Sequence, residues 1–303
     1  MENPLFSIII PTYNRPNQLA ICLESIAQLN YPRERFEVIV VNDGGMKLPD
    51  ELLNKFKGQF NILLINQTNS GPASSRNNGA KIANGEFLAF TDDDCLSEPE
   101  WLNSFENILR NYSDCMVGGK TLNKLGNNLY STASQMICDI AYRHYNKNHE
   151  SASFFCANNL ALSKRRFLEI GGFDDDFKTA EDRDLCKRWQ KHGLRMIFAP
   201  EAIIYHAHDL TLYTFAKQHF NYGRGSFQFY NKKTLHGSVY FSNLLRFNFN
   251  PKNLFGYPLR NYKGIKGIKL SVLLLIWQLI NAFGFLFELF NNKLSLSDSK
   301  AIK

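Results

Sequence analysis

Short apolar segments alternate with segments of helical periodicity along the first third of this 303-residue chain. The apolar segments are rich in β-branched and aromatic residues, and they predict strands at Phe6–Ile10, Phe36–Val41, Ile62–Ile65 and Phe87–Phe90. The segments between and after them predict helices at Asn17–Leu29, Leu48–Phe56, Pro72–Ala83 and Pro99–Arg110. Strands separated by helices are typical of βαβ units. The pattern therefore predicts an α/β fold with a central, mostly parallel sheet and right-handed crossovers.

The second half of the chain is less regular. It predicts a strand within Phe154–Leu162, a helix at Glu181–His192, and one or two strands over Met196–Tyr205 that break at Pro200. We find no internal repeat and no low-complexity linker before about residue 210.

Charge is distributed unevenly along the chain. The net charge is +7, yet residues 210–287 carry ten Lys or Arg and no Asp or Glu, interleaved with many Phe and Tyr. We therefore predict a mildly acidic domain at residues 1–209 and a basic, aromatic, helical extension at residues 210–303. A basic surface indicates a polyanionic partner. Because no nucleic-acid-binding module is recognisable, we expect an anionic membrane surface and no nucleic acid.

An uncharged apolar segment of 18 residues, Leu270–Phe287, lies within this extension and is long enough to span a bilayer. On a helical wheel, however, Ser271, Gln278, Asn281 and Glu288 fall on one stripe. The stripe favours a helix that lies in the membrane interface, and the basic residues before it would attract anionic lipid. A spanning helix and a helix packed on the protein stay as alternatives.

The six cysteines are scattered, with no C-x-x-C pair and no zinc-like spacing, as a reduced intracellular chain allows. The amino terminus lacks the basic and apolar regions of a signal peptide. We therefore expect a cytoplasmic protein, peripheral or tail-anchored at the cytoplasmic face of the membrane.

Three consecutive acids, Asp92, Asp93 and Asp94, follow the fourth predicted strand. In an open α/β sheet, ligands bind at the carboxyl ends of the strands. Three like charges repel one another, and a divalent cation is the simplest partner that makes such a cluster favourable. The alternative is a solvated acidic turn before the next helix.

The loops after the first three predicted strands also carry candidate binding residues. After the first come Pro11, Tyr13 and Arg15, which suit a stacked base and a diphosphate, although a simple turn explains the same residues. After the second, Asp43 could accept a base N–H or a ribose hydroxyl, or it could belong to a generic Asn-Asp-Gly turn. After the third, a Gly-Pro pair begins a predicted helix whose first turns contain Arg76. Arg76 could lie near a nucleotide, or it could be solvated. The dinucleotide and P-loop motifs are missing, which argues against a dehydrogenase or a P-loop ATPase.

The series Pro-Thr-Tyr-Asn, Val-Asn-Asp-Gly, Gly-Pro-Ala…Arg-Asn-x-Gly and Phe-Thr-Asp-Asp-Asp resembles the family-2 inverting glycosyltransferases with a GT-A fold, across roughly residues 5–210. The resemblance implies that Asp43 contacts the base and that Arg76 lies near the nucleotide. It also implies that Asp92 and Asp93 lie by the ribose and the donor sugar. Asp94 would bind a Mg²⁺ or Mn²⁺ ion that bridges the diphosphate.

The same resemblance extends to the acidic pair Glu181 and Asp182. An inverting transfer needs one carboxylate that takes the proton of the acceptor hydroxyl. We predict that Asp182 is this base and that Glu181 orients the acceptor. The alternative is a capping-box variant in which Thr179 caps the helix. In that case Glu181 and Asp182 are there because acidic side chains are stabilising in the first turn of a helix.

The resemblance also implies binding roles for His206, His208 and Arg224. A histidine in the position of His206 completes the metal site of similar enzymes, and His208 is an alternative ligand. The segment Tyr222-Gly223-Arg224-Gly225 resembles a motif of a subset of these transferases, in which Arg224 could reach the leaving diphosphate or a phosphate on the acceptor.

Together these features predict a metal-dependent inverting glycosyltransferase that moves a sugar from a nucleotide-sugar donor to a glycan or a lipid-linked acceptor. A GT-A-like nucleotidyltransferase and a non-catalytic glycan- or membrane-binding relative are the alternatives. The donor sugar, the base and the acceptor are not readable from the sequence, although Asp43 leans toward a pyrimidine.

Overall fold

The computed structural model describes residues 5–233 and 250–301, with the backbone alone for residue 233 and residues 293–301. These residues form two compact units. The first comprises the described residues of 1–124 and 142–208, and the second those of 125–141 and 209–303. The sequence placed 125–141 in the first domain, whereas the structure groups this segment with the second unit.

The first unit is built on one eight-stranded sheet in the order β3-β2-β1-β4-β7-β6-β8-β5. Its strands are β1 (Phe6–Thr12), β2 (Phe36–Asn42), β3 (Asn61–Asn66), β4 (Phe87–Thr91), β5 (Cys95–Ser97), β6 (Met116–Asn123), β7 (Asn159–Ser163) and β8 (Met196–His206). Strands β1 to β4 pair in parallel, as do β6 and β8, whereas β7 runs antiparallel to both of its neighbours and β5 to β8. The predicted α/β fold with a mostly parallel sheet is confirmed.

Helices cover the sheet or form the second unit. They are α1 (Pro16–Ala27), α2 (Asp50–Asn54), α3 (Pro72–Ile82), α4 (Trp101–Leu109), α5 (Leu129–Tyr145), α6 (Lys164–Glu169), α7 (Glu181–Lys191), α8 (Leu212–Lys233), α9 (Tyr257–Asn261) and α10 (Gly264–Ala301). Because side chains alternate along a strand, Ile8 and Ile10 of β1 lie in one apolar core and Ile9 lies in another. Burial on both faces explains the nearly continuous apolar strands.

The less regular second half contains the differences from prediction. The strand predicted within Phe154–Leu162 is confined to β7. Of the one or two strands predicted over Met196–Tyr205, the structure has one, β8, which continues through Pro200. The register shifts there, since Ala199 pairs with Gly119 but Ile203 pairs with Lys120. A bulge tolerates a proline because it leaves backbone groups out of the ladder.

The second unit has its own apolar core. Helix α5 contributes Ala133, Met136 and Ile140, which pack in one cluster with Phe215 of α8 and Leu274 of α10. The predicted boundary at residues 209–210 stays a prediction, although α5 shows that one earlier segment shares this core.

Helices α8 and α10 approach each other closely. A Cβ atom on Gly223 would lie 2.1 Å from the carbonyl oxygen of Asn281, and one on Gly284 would lie 2.1 Å from that of Phe220. Glycines at both crossing points let the two backbones touch, as in tightly packed helix pairs. The segment 264–292 of α10 is long and apolar enough to cross a membrane, by length and composition.

Candidate active site

The three aspartates follow β4 directly, and each has a cationic protein partner. Asp92 accepts a hydrogen bond of 2.6 Å from Nη2 of Arg76. Arg15 Nη1 lies 3.2 Å from Asp93 Oδ1 and 3.1 Å from Asp94 Oδ2. Since opposite charges within about 4 Å offset repulsion between like charges, these two arginines balance much of the charge of the cluster.

Arg76 joins the aspartates to helix α7. Its guanidinium donates to Glu181 Oε1 at 3.0 Å as well as to Asp92, and it lies 5.6 Å from the ring centre of Phe173. The arginine is only 4% exposed, so it is not the solvated residue of the alternative interpretation. The structure therefore brings Asp92 and Glu181, which are 89 positions apart in the sequence, onto one side chain.

The pKa values of Asp93 and Asp94 are shifted in opposite directions. Burial raises the pKa of Asp93 to about 6, against the opposing charge of Arg15. Thr12 Oγ1 donates to its Oδ2 at 2.7 Å, a contact that sequence reasoning missed. Burial would also raise the pKa of Asp94, but the hydrogen bond and charge of His206, followed by the charge of Arg15, hold it below its usual range.

Asp94 and His206 are the side chains that could hold a divalent cation. Nε2 of His206 lies 3.1 Å from Asp94 Oδ1, and with Cys95 they form a group whose ligand atoms lie within 4.8 Å of one another. Burial raises the pKa of the Cys95 thiol well above its usual range, which favours the neutral thiol there. A carboxylate and an imidazole fit Mn²⁺ or Mg²⁺ with further ligands from a substrate.

His208 lies next to His206, on which its ring stacks with 4.8 Å between ring centres. Burial, then the charge of His206, lowers the pKa of His208 to about 4, so its imidazole is neutral at physiological pH. The structure brings both histidines to Asp94, and the choice between them as ligands stays a prediction.

Glu181 and Asp182 form the first turn of α7. Burial raises the pKa of both carboxyl groups, and the neighbouring charge of Asp182 adds to the effect at Glu181. The capping-box alternative requires Thr179 at the N-cap, but the structure places Ala180 there, with a left-handed φ of 74°. A non-glycine residue in this conformation is strained, and such strain is common at functional sites.

The loop before α7 is held by a contact that the sequence did not reveal. The amide of Asn77 in α3 donates to the carbonyl of Phe173 at 2.8 Å and accepts from its N–H at 2.9 Å. Gly172 has φ +67°, and a Cβ there would lie 2.5 Å from Asn77 Oδ1. This contact ties Phe173, in the loop before α7, to helix α3.

The residues that the sequence predicts to bind a nucleotide are placed as follows. Asp43 is buried, and its carboxylate accepts hydrogen bonds of 2.8 Å each from Gln67 Nε2 and from the backbone N–H groups of Ser70 and Gly71. It therefore holds the loop before α3, whatever it binds in addition. Tyr13 is 48% exposed, so its ring is free to stack, and Pro11 is half-buried within β1.

Arg224 belongs to the second unit. Its Nε lies 2.7 Å from Glu288 Oε2, and its guanidinium lies over the ring of Phe287 at 5.6 Å. Its predicted contact with a phosphate stays a prediction.

Comparisons with known proteins show which family the chain is similar to. A family model described as Glycosyl transferase family 2 matches residues 7–172, and one described as Glycosyl transferase family group 2 matches residues 92–299. Glycosyltransferase AglE from Haloferax volcanii is 25% identical over 227 residues, which are 74% of this chain and 74% of that protein. Validoxylamine A glucosyltransferase from Streptomyces hygroscopicus subsp. jinggangensis is 27% identical over 233 residues. That match covers 66% of this chain and 54% of the relative, so the chain spans about half its length.

The fold is similar to that of a mannosyltransferase from Pyrobaculum calidifontis, solved in complex with GDP-Man and Mn²⁺. The two structures superpose with a TM-score of 0.66 at 17% identity, over 96% of this chain and 88% of that one. The likeness confirms the predicted GT-A-type fold.

Proposed function

The chain belongs to glycosyl transferase family 2, and from this premise we propose that it transfers a sugar, with inversion, from a nucleoside diphosphate sugar to a hydroxyl group. The proposed acceptor is a glycan or a lipid-linked sugar. The observation that carries the proposal is the bridge through Arg76, which joins Asp92 at the end of β4 to the carboxylate pair of α7.

On the donor side, we assign the nucleotide to the carboxyl edge of β1, β2 and β4. Tyr13 offers an exposed aromatic face to a base, and Asp43 lies at the end of β2, next to that edge. Arg15, which now rests on Asp93 and Asp94, is a half-exposed cation that could turn to a diphosphate. Asp92 and Asp93 are assigned to the ribose and the donor sugar.

Asp94 and His206 are proposed to hold Mn²⁺ or Mg²⁺. When bound, the cation would offset the negative charge that develops on the departing nucleoside diphosphate. The presence of Mn²⁺ with GDP-Man in the similar mannosyltransferase supports this assignment.

On the acceptor side, Asp182 is proposed as the general base. It takes the proton of the acceptor hydroxyl while that oxygen bonds to the anomeric carbon and the bond to the diphosphate oxygen breaks. Burial raises its pKa toward the range in which a base is effective at neutral pH. Glu181 is held by Arg76, which suits it to orient the acceptor and leaves the proton transfer to Asp182.

We further propose that the enzyme acts at the cytoplasmic face of a membrane, where the basic second unit contacts anionic lipid. Residues 210–287 carry ten Lys or Arg without a single Asp or Glu, which supports this partner.

The test is a pair of variants, Asp182→Asn and the matched control Asp114→Asn, whose carboxylate is 41% exposed and pairs with Arg165 and Arg166. Asp182→Asn is expected to lower the transfer rate by roughly 10²-fold or more, because a positioned base contributes at least that much. Thermal stabilisation by nucleoside diphosphates with Mn²⁺ should be unchanged in both variants. Normal turnover in Asp182→Asn would remove this residue from the base role. If no nucleoside diphosphate stabilises the wild type, the donor assignment is wrong.

A further inference from the structure

Helix α10 carries a continuous apolar face that the described residues leave uncovered. We name it the apolar face and define it as Val272, Leu275, Leu279, Phe283, Leu286 and Phe290, which are between 38% and 64% exposed. At about 100° per residue these six side chains fall within about 80° of one another on the helix. Every exposed residue between positions 270 and 290 is Val, Leu or Phe. A contiguous exposed surface of this kind marks a contact with a partner or a lipid phase.

The polar residues of the same segment lie on the opposite side, inside the protein. Ser271 is 4% exposed and Gln278 is 1% exposed. Asn281 Nδ2 donates to the carbonyl of His219 at 3.3 Å, and Glu288 accepts from Arg224 at 2.7 Å. The polar stripe that favoured a helix in the interface plane is therefore turned toward α8 and away from solvent. A helix with its polar groups inside the protein and its apolar groups outside is favourable in hydrocarbon and unfavourable in water.

We infer that the apolar face of α10 is seated in the hydrocarbon of a lipid bilayer, with α8 on its protein side. From Val272 to Phe290 the face is about 27 Å long, close to the roughly 30 Å of a bilayer core.

The charges that flank the face identify the lipid. Arg260, Lys263 and Lys269 are exposed just before it, and residues 210–287 contain no acid. Cations at the end of an apolar helix that enters a bilayer attract anionic lipid headgroups. They oppose a parallel pairing with a second copy of this chain, because a parallel pair of these helices would bring like charges together.

The inference rests on the proposed contact of the second unit with anionic lipid, adds that α10 enters the hydrocarbon, and is tested without sugar transfer. The full chain is floated with vesicles of phosphatidylcholine and phosphatidylglycerol, and the bound fraction is compared with that of Leu279→Glu/Phe283→Glu. We expect the bound-to-free ratio of the double variant to fall about ten-fold or more, since carboxylates are costly in hydrocarbon. Both positions are solvent-exposed within the protein, so its circular dichroism and thermal unfolding should not change.

Leu168→Glu is the matched control, because Leu168 is 46% exposed on α6 of the first unit. It should float like the wild type. A second pair, Lys263→Gln/Lys269→Gln, should lower binding to vesicles that contain phosphatidylglycerol and leave binding to pure phosphatidylcholine unchanged.

Two results would overturn the inference. One is equal flotation of Leu279→Glu/Phe283→Glu and wild type. The other is a lipid-free dimer of the wild type that this double variant converts to monomer without any loss of vesicle binding, which would assign the face to a second copy. Stabilisation by nucleoside diphosphates is measured separately, so failure here leaves the proposed transfer intact.

Discussion

Arg15 and Arg76 change how the acidic cluster is understood. From the sequence, a divalent cation is the simplest partner for three adjacent aspartates, because like charges repel one another. The structure supplies that charge from α3 and from the loop after β1, through side chains that lie 16 to 79 positions away. The cluster is therefore compatible with the fold before a metal binds, and the proposed cation belongs to the reaction.

Arg15 makes a prediction about metal affinity. Because its guanidinium lies 3.1 Å from the Asp94 carboxylate, a cation at Asp94 has to compete with it. Arg15→Gln should bind Mn²⁺ roughly two- to five-fold more tightly without nucleotide, which corresponds to about 0.5–1 kcal/mol for a half-exposed ion pair. Titration calorimetry with Mn²⁺ alone measures this. Arg33→Gln is the control, because Arg33 donates only to the backbone carbonyls of Ile26 and Ala27. Unchanged or weaker binding in Arg15→Gln would show that Arg15 does not compete.

The carboxylate pair makes a prediction about pH. The base acts only when deprotonated, and burial raises the pKa of both Asp182 and Glu181. The transfer rate should therefore fall as pH falls, beginning above the usual carboxyl pKa of about 4. The profile of kcat/KM against pH shows where this loss begins, and nucleotide affinity over the same range separates it from loss of donor. A profile that shows no loss until the pH reaches the usual carboxyl pKa would contradict the raised pKa values.

At the scale of elements, the crossing of α8 and α10 depends on glycine. Gly284→Ala would place a Cβ 2.1 Å from the carbonyl oxygen of Phe220, which is backbone and cannot move alone. Overpacking of this kind destabilises by roughly 1–3 kcal/mol, so the free energy of unfolding should fall by about that amount in urea. Gly256→Ala is the control, since the nearest atom to its added Cβ is Lys252 Cβ at 4.0 Å. Equal stability of the two variants would mean that the helices do not cross here.

For the whole molecule, the second unit predicts the behaviour of a shortened chain. Cutting after residue 209 removes Phe215, Leu270 and Leu274, against which Met136 and Ile140 of α5 pack. The 1–209 chain should therefore bind a hydrophobic dye and aggregate, which light scattering measures. Adding Met136→Gln and Ile140→Gln should restore part of its solubility. A soluble, monomeric 1–209 chain that does not bind the dye would show that α5 does not need the later helices.

The sequence predicted strands β1 to β4 well because each of them is apolar on both faces and a helix separates it from the next. It missed β6 and α5, whose mixed composition carries no clear period, and it left open one or two strands at Pro200 because a bulge is invisible in a single strand. Within the site, it identified Asp92, Asp93, Asp94, Glu181 and Asp182 as candidates. It missed the contacts of Thr12 and Asn77, since a short polar side chain reveals nothing of its partner until the chain has folded.

The grouping of α5 with much later helices also bears on how the protein is made. Ile140 leaves the ribosome about 130 residues before Leu270, its neighbour in the second core. At about 5–20 residues per second, this interval is on the order of ten seconds. During that time the apolar side chains of α5 lack the later helices against which they pack, so a chaperone or an early encounter with lipid during translation would protect the nascent chain from misassembly.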